Sequence, residues 1–165
     1  MNNTPQKLQN IKIQNFILSE KKLEEISNCL LLKSHFQSSS LNQMKVKDSN
    51  LTSSNFVKSK LGKTSFEFTN LENANLEWAN LTRSAFYRVN FTEANLQCTS
   101  FRRSKFTECL FKKTNFKFSQ LGQSFFKNCK LSEADFRDAD MQMVIFQNCD
   151  LTGALFNLNT RLPFT

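Results

Sequence analysis

Five cysteines, one histidine and a set of cations recurring every twenty residues are the groups in this 165-residue chain whose types and spacing could do chemistry. Cysteines can pair, hold metal or attack as thiolates, a histidine can move a proton, and aligned Lys and Arg can hold an anion. His35, however, has no spacing to a Cys or Ser that suggests a dyad. There is no Gly-rich phosphate loop, and no pair of carboxylates stands out from surface charge. The expectation is a protein that is not an enzyme and has no catalytic, metal or cofactor-binding residues.

The spacing of the remaining residues says what must position these groups. From Ile26 to Phe156 every fifth residue is apolar, 27 of 27 positions, and thirteen of the eighteen Phe fall on this column. Two residues earlier in each unit lies a second column, small at 25 of 27 positions, with Glu24 and Met44 the exceptions. A period of five is neither the 3.6 of a helix nor the 2.0 of a strand. No long helix or pleated sheet puts all those side chains on one side, so the chain must turn every five residues.

Ala74-Asn75-Leu76-Glu77-Trp78, Ala79-Asn80-Leu81-Thr82-Arg83 and Ala134-Asp135-Phe136-Arg137-Asp138 resemble the A-(D/N)-(L/F)-x-x unit of the pentapeptide-repeat family. The resemblance covers about 135 residues without insertion. It implies an all-β, right-handed quadrilateral parallel β-helix, a solenoid in which four units make one coil. Residues 26–156 would form the β-helix, about 6.75 coils and roughly 32 Å long at ~4.8 Å per coil. Each large residue would point into the lumen with a small one beside it near the corner. Flat sides without insertions suggest no pocket.

The ends leave the pattern. Residues 1–25 read as an N-terminal cap or an irregular first coil, with Ile11 and Phe16 in phase and Ser19 to Ile26 compatible with a capped helical turn. Residues 157–165 read as a C-terminal cap. Dimers in the family often join through this end, so the resemblance implies a homodimer contact at Leu155, Leu158, Leu162 and Phe164. An intramolecular plug is the other reading of the same residues.

Residues twenty apart lie one above another, so the surface reads as columns. Gln43, Lys63, Arg83, Arg103 and Gln123 form one of these, and with Lys60 and Arg102 they make a basic strip for an anionic partner. A second candidate surface is apolar: Phe68, Trp78, Tyr87, Phe118, Phe125 and Ile145. Asn55, Asn75, Asn95 and Asn115 above Asp135 suggest an amide ladder. The Cys29, Cys109, Cys129 and Cys149 column is straight, with parallel side chains, so it suits neither disulfides nor a tetrahedral metal site. These read as buried thiols, and Cys98 as the outward, reactive one.

The net charge is +8, and residues 26–156 alone carry 17 cations against 11 anions. No apolar run is long enough to span a bilayer, the start lacks the features of a secretory signal, and reduced thiols suit a cytoplasmic setting. Export by a dedicated secretion system leaves no mark readable here. The functional expectation is a non-enzymatic interaction module that offers flat faces to a protein partner. The family resemblance adds an alternative, protection of DNA gyrase or another topoisomerase from quinolones or a gyrase toxin, and AT-rich-genome composition adds a secreted bacterial effector. The best-known gyrase-protecting members mimic duplex DNA in shape and negative charge, which a +8 chain disfavours. Direct nucleic-acid binding is disfavoured too, because no aromatic alternates with the cations of the strip.

Overall fold

The computed structural model describes residues 6–18 and 23–163. The chain winds as a parallel β-solenoid with four sides, and no helix occurs among the described residues. One side carries most of the regular strands. These are β1 (Gln6–Gln9), β3 (Leu23–Ser27), β5 (Lys45–Lys47), β6 (Ser65–Glu67), β7 (Ala85–Tyr87), β8 (Lys105–Thr107), β9 (Phe125–Lys127) and β10 (Ile145–Gln147), which form one eight-stranded sheet in that order. β2 (Lys12–Gln14) pairs with β4 (Leu30–Leu32) on the next side. The other sides are held by single parallel bridges between residues twenty apart, such as Asn55 to Asn75 and Asn80 to Ser100.

The local reason for the turns is a repeated left-handed corner. Every fifth residue from Asn28 to Asn148 has φ between 47° and 64°, two positions after each lumen residue. None of these positions is glycine, and Gly153, the next in the series, has φ 70°. Asn and Asp tolerate this region best among the other residues, and Asn28, Asp48, Asn73, Asn128, Asp138 and Asn148 supply it here. Hydrogen bonds then tie coil to coil: the Phe56 N–H donates to the Asn75 carbonyl at 2.7 Å, and the Asn75 N–H donates back to Ser54 at 2.9 Å.

The lumen is filled as the period requires. Phe66, Phe86, Phe106, Phe126 and Phe146 stack up one side with ring centroids 4.4–5.4 Å apart. Phe106 also meets Phe101 and Phe111 edge-on from the neighbouring sides. Each buried ring contributes on the order of 1.5–3 kcal/mol by burial, and each favourable ring pair ~0.5–1.5 kcal/mol more. The small column leaves room at the corners, and its hydroxyls reach back to carbonyls of the preceding coil, as Ser104 Oγ does to Leu81 at 2.8 Å.

Both ends depart from the twenty-residue coil. At the start, Leu8 pairs with Ile26, Ile13 with Leu31 and Ile17 with His35, an offset of 18. The phase therefore slips by two residues, and Ile11 and Phe16 occupy the register of the small column instead of the lumen. They still pack on the core. Residues 23–27 are strand where a helical turn was one expectation, and Ser19 lies outside the described residues. At the other end Asp140 bridges to Arg161, an offset of 21. The extra residue is absorbed by a turn in which Thr160 is buried and donates to the Phe136 carbonyl at 3.1 Å.

Candidate functional site: a two-edged groove

The side centred on Leu61, Leu81, Phe101 and Leu121 differs from the others because two of its outward positions are glycines. Gly62 and Gly122 lie in the column Asn42, Gly62, Thr82, Arg102, Gly122, Gln142, and the missing side chains open a groove of about 630 Å³. The flat side without a pocket, expected from the lack of insertions, is thus corrected. Lys63, Arg83, Arg102 and Arg103 line this groove; Lys60 is exposed on the same side but does not line it.

The cations are arranged as a ladder one coil apart, and their partners decide how much charge is available. Arg103 Nε donates to Gln123 Oε1 at 2.9 Å and Arg102 Nε to Gln120 Oε1 at 3.1 Å. A neutral amide orients a guanidinium without cancelling its charge. Lys63 and Arg83 have no side-chain partner among the described residues. Adjacent unit charges ~5 Å apart in water repel by up to ~1 kcal/mol, a modest cost that a bound anion reverses. The strip is not free of carboxylates, as the residues 41–123 alone suggest. Asp140 stands at its end and its Oδ2 meets Arg102 Nη2 at 3.1 Å, two coils away.

The six residues of the apolar candidate surface fall on several columns of the coil. Phe68 and Tyr87 meet edge to face at 5.2 Å, with the Arg88 guanidinium 5.7 and 5.2 Å from their ring centroids. Arg88 in turn pairs with Glu108 at 2.6 Å, and this contact holds its pKa above the usual value. The charge at that corner is paired within the chain, while Phe68 stays 47% exposed. Phe125 and Ile145 stack on the strand edge beside the groove side, next to Met143. Trp78 and Phe118, 57% and 53% exposed, project from the corner on the opposite edge of the groove side. Each starts the turn that runs on through Asn80 or Gln120 to Arg83 or Gln123. Two aromatics therefore stand across this side from the cation column, outside the lining of the groove itself. The signal was present in the spacing, since columns 78 and 83 bound one five-residue side.

The other candidates have structural roles. Asn115 Nδ2 donates to Asn95 Oδ1 at 3.2 Å and Asn95 Nδ2 to Asn75 Oδ1 at 3.3 Å, while each Oδ1 also accepts from the backbone two residues on. The ladder ends on Asp135, whose carboxyl is held below its ordinary value by Arg137 and, next to it, Lys117. All five cysteines are free. Cys109 and Cys129 point their thiols at the carbonyls of Phe86 and Phe106, and the neighbouring Cys109 thiol together with burial pushes Cys129 up to about 12. Cys98 is only partly exposed; desolvation and then the Glu77 carboxylate raise its pKa, so the expectation of a reactive thiol weakens. No group of His, Cys, Asp and Glu among the described residues could hold a metal ion.

At the C-terminal end Leu155 and Leu162 are about half exposed and Leu158 fully so. Phe164, the fourth residue assigned to this contact, lies outside the described residues. Thr160 is buried here in the register of the small column, and Phe156 stacks on Phe136 at 5.5 Å.

Fold and site together define a quadrilateral parallel β-solenoid with one grooved, cation-edged side. Two models of pentapeptide repeats match, one described as a pentapeptide repeat region over residues 99–160 and one as pentapeptide repeats in eight copies over 49–86 and 69–107. The chain belongs to the pentapeptide-repeat family, and its fold is the family's right-handed β-helix. A comparison with curated proteins found no match. Among solved structures it is similar to a trypsin-treated form of QnrB1, a plasmid-mediated fluoroquinolone resistance protein, with a TM-score of 0.54 at 16% identity over 95% of this chain and 86% of that one. Full-length QnrB1 gives 0.51 at 11% identity over 93% and 94%. HetL from the cyanobacterium Nostoc, a pentapeptide repeat protein involved in heterocyst differentiation regulation, gives 0.45 at 18% identity over 96% and 87%. No helix of the described chain is long and apolar enough to cross a membrane.

Proposed function

We propose that the protein is a non-enzymatic interaction module that presents the grooved side of a rigid solenoid to a protein partner. The observation that carries this reading is the ladder of Lys63, Arg83 and Arg103, exposed on one side of the rod and facing a groove with little charge to neutralise it. On other sides some cations are paired along their own columns, Lys47 with Glu67 and Lys7 with Glu25, both at 3.0 Å. The five free thiols favour a reducing, cytoplasmic setting for this activity.

Protection of a topoisomerase is the weaker reading. The likeness to QnrB1 bears on fold, and a basic groove is the opposite of a DNA-like acidic surface.

The test is affinity capture from the native cytosol with the wild type and with Lys63, Arg83 and Arg103 all changed to Glu, each at low and high salt. Loss of a specific partner in the variant and on raising the salt is the expected result. Equal capture by both proteins, with no salt dependence, overturns the assignment of this side.

A further inference from the structure

We infer that the groove side receives an acidic, aromatic-bearing segment of the partner, extended along the rod axis with its carboxylates on the Lys63–Arg83–Arg103 edge and its apolar side chains on the Trp78–Phe118 edge. This rests on the interaction-module reading above and names the chemistry of the partner.

Three observations converge on that occupant. The first is the pairing of edges. An extended chain places successive side chains on opposite flanks, and alternate ones recur at ~6.7 Å. The ladder from Lys63 to Arg103 spans two coils, ~9.6 Å, so two carboxylates of such a strand fall within reach of three cations. The same alternation sends the intervening side chains toward Trp78 and Phe118.

The second is the backbone at those aromatics. Trp78 and Phe118 sit at left-handed corners with φ of 61° and 58°. Bulky side chains are disfavoured there, and more than half of each is exposed. The cation edge uses the same corners, Lys63, Arg83 and Arg103 each with φ of 59°, so what sets Trp78 and Phe118 apart is large apolar area left in water, which a covering segment would bury.

The third identifies the anion. The groove already holds one carboxylate, Asp140, which crosses two coils to reach Arg102. Guanidinium forks match carboxylates in geometry, and Gln120 and Gln123 hold two of these arginines in place. Asp140 thus competes with the partner for Arg102.

The experiment is fluorescence anisotropy with a labelled octapeptide of alternating Glu and Phe, a labelled octaglutamate and a labelled twelve-nucleotide oligothymidine. The alternating peptide should bind tightest, with affinity falling as salt rises. Exposed ion pairs each change affinity by up to ~5-fold, so the triple Glu variant should lose at least ~10-fold. W78A with F118A should weaken the alternating peptide several-fold and leave octaglutamate unchanged. D140N, which keeps the side-chain oxygen that accepts from the Gln142 N–H, should tighten binding about 2- to 5-fold by releasing Arg102. G122L, at a position whose Cβ meets nothing closer than 3.6 Å, should block the groove without moving the urea midpoint.

Octaglutamate binding as tightly as the alternating peptide, oligothymidine binding more tightly than either, or D140N weakening the complex would each overturn the inference. Failure of the underlying reading looks different. In the affinity capture described above, no specific partner is then retained even by the wild type, whereas a partner retained equally by wild type and triple variant leaves the module intact and removes only the groove.

Discussion

Replacing Phe106 by Ala should destabilise the rod far more than replacing Phe146, although both continue the same stacked column. Phe106 is fully buried, lies parallel to Phe86 at 4.8 Å and Phe126 at 4.4 Å, and is met edge-on by Phe101 at 5.3 Å and Phe111 at 5.5 Å. Losing a buried phenyl and leaving its cavity costs about 3–5 kcal/mol. The neighbouring coils are hydrogen-bonded at every side and cannot close over the space, which places the cost near the top, about 4–5 kcal/mol. Phe146 has one stacked neighbour, Phe126 at 5.0 Å, and is only partly buried, so about 2 kcal/mol is expected. Urea unfolding followed by circular dichroism measures the difference. With a slope of ~2 kcal/mol per molar, F106A should lower the midpoint by ~2 M and F146A by ~1 M. Equal shifts for the two variants would refute the claim that stability resides in coil-to-coil stacking. So would an F106L shift as large as that of F106A.

Ser119 Oγ is buried with no hydrogen-bond partner, while Ala79 and Ala139 fill the same column, so S119A should raise stability by about 1 kcal/mol in the same urea assay. Asp135 is held below its ordinary value of 3.8, chiefly by Arg137 with Lys117 adding to it. Its contribution is therefore present above pH ~4 and lost as the pH falls through the depressed value, and D135N should flatten that acid limb of a melting-temperature profile. In timed alkylation at pH 8, Cys109 and Cys129 should stay unmodified until unfolding; Cys98 should react more slowly than a free thiol, and E77Q should speed it. If the apolar C-terminal end joins two rods, wild type should sediment as a dimer and L158E as a monomer; identical sedimentation would leave Leu158 outside any self-contact.

The five-residue period made the lumen legible because it constrains side-chain class at fixed positions, and the stacked rings from Phe66 to Phe146 follow from it directly. The asparagine ladder was legible for the same reason, being a column of identical residues. The terminal offsets were not. A two-residue slip keeps Ile11 and Phe16 apolar and partly buried, so hydrophobicity alone cannot distinguish the lumen register from the small-column register. The candidate site was half legible. The cation ladder could be counted in twenties, but the groove depends on side chains that are absent at Gly62 and Gly122, and pattern searches look for groups that are present. The contact of Arg88 with Phe68 and Tyr87 was not legible either, because exposure by position says nothing of local partners.

The same geometry separates what the chain must conserve from what it is free to vary. In each five-residue unit the lumen and small positions answer to packing, and they specify only a kind of side chain, satisfied equally by Phe91 or Leu71 in one column and by Cys129 or Thr69 in another. The remaining three positions face outward and are coupled to the core only through the backbone. Recognition can therefore be rewritten along one side of the rod while its stability is left alone. It also explains how QnrB1 shares the architecture at 16% identity.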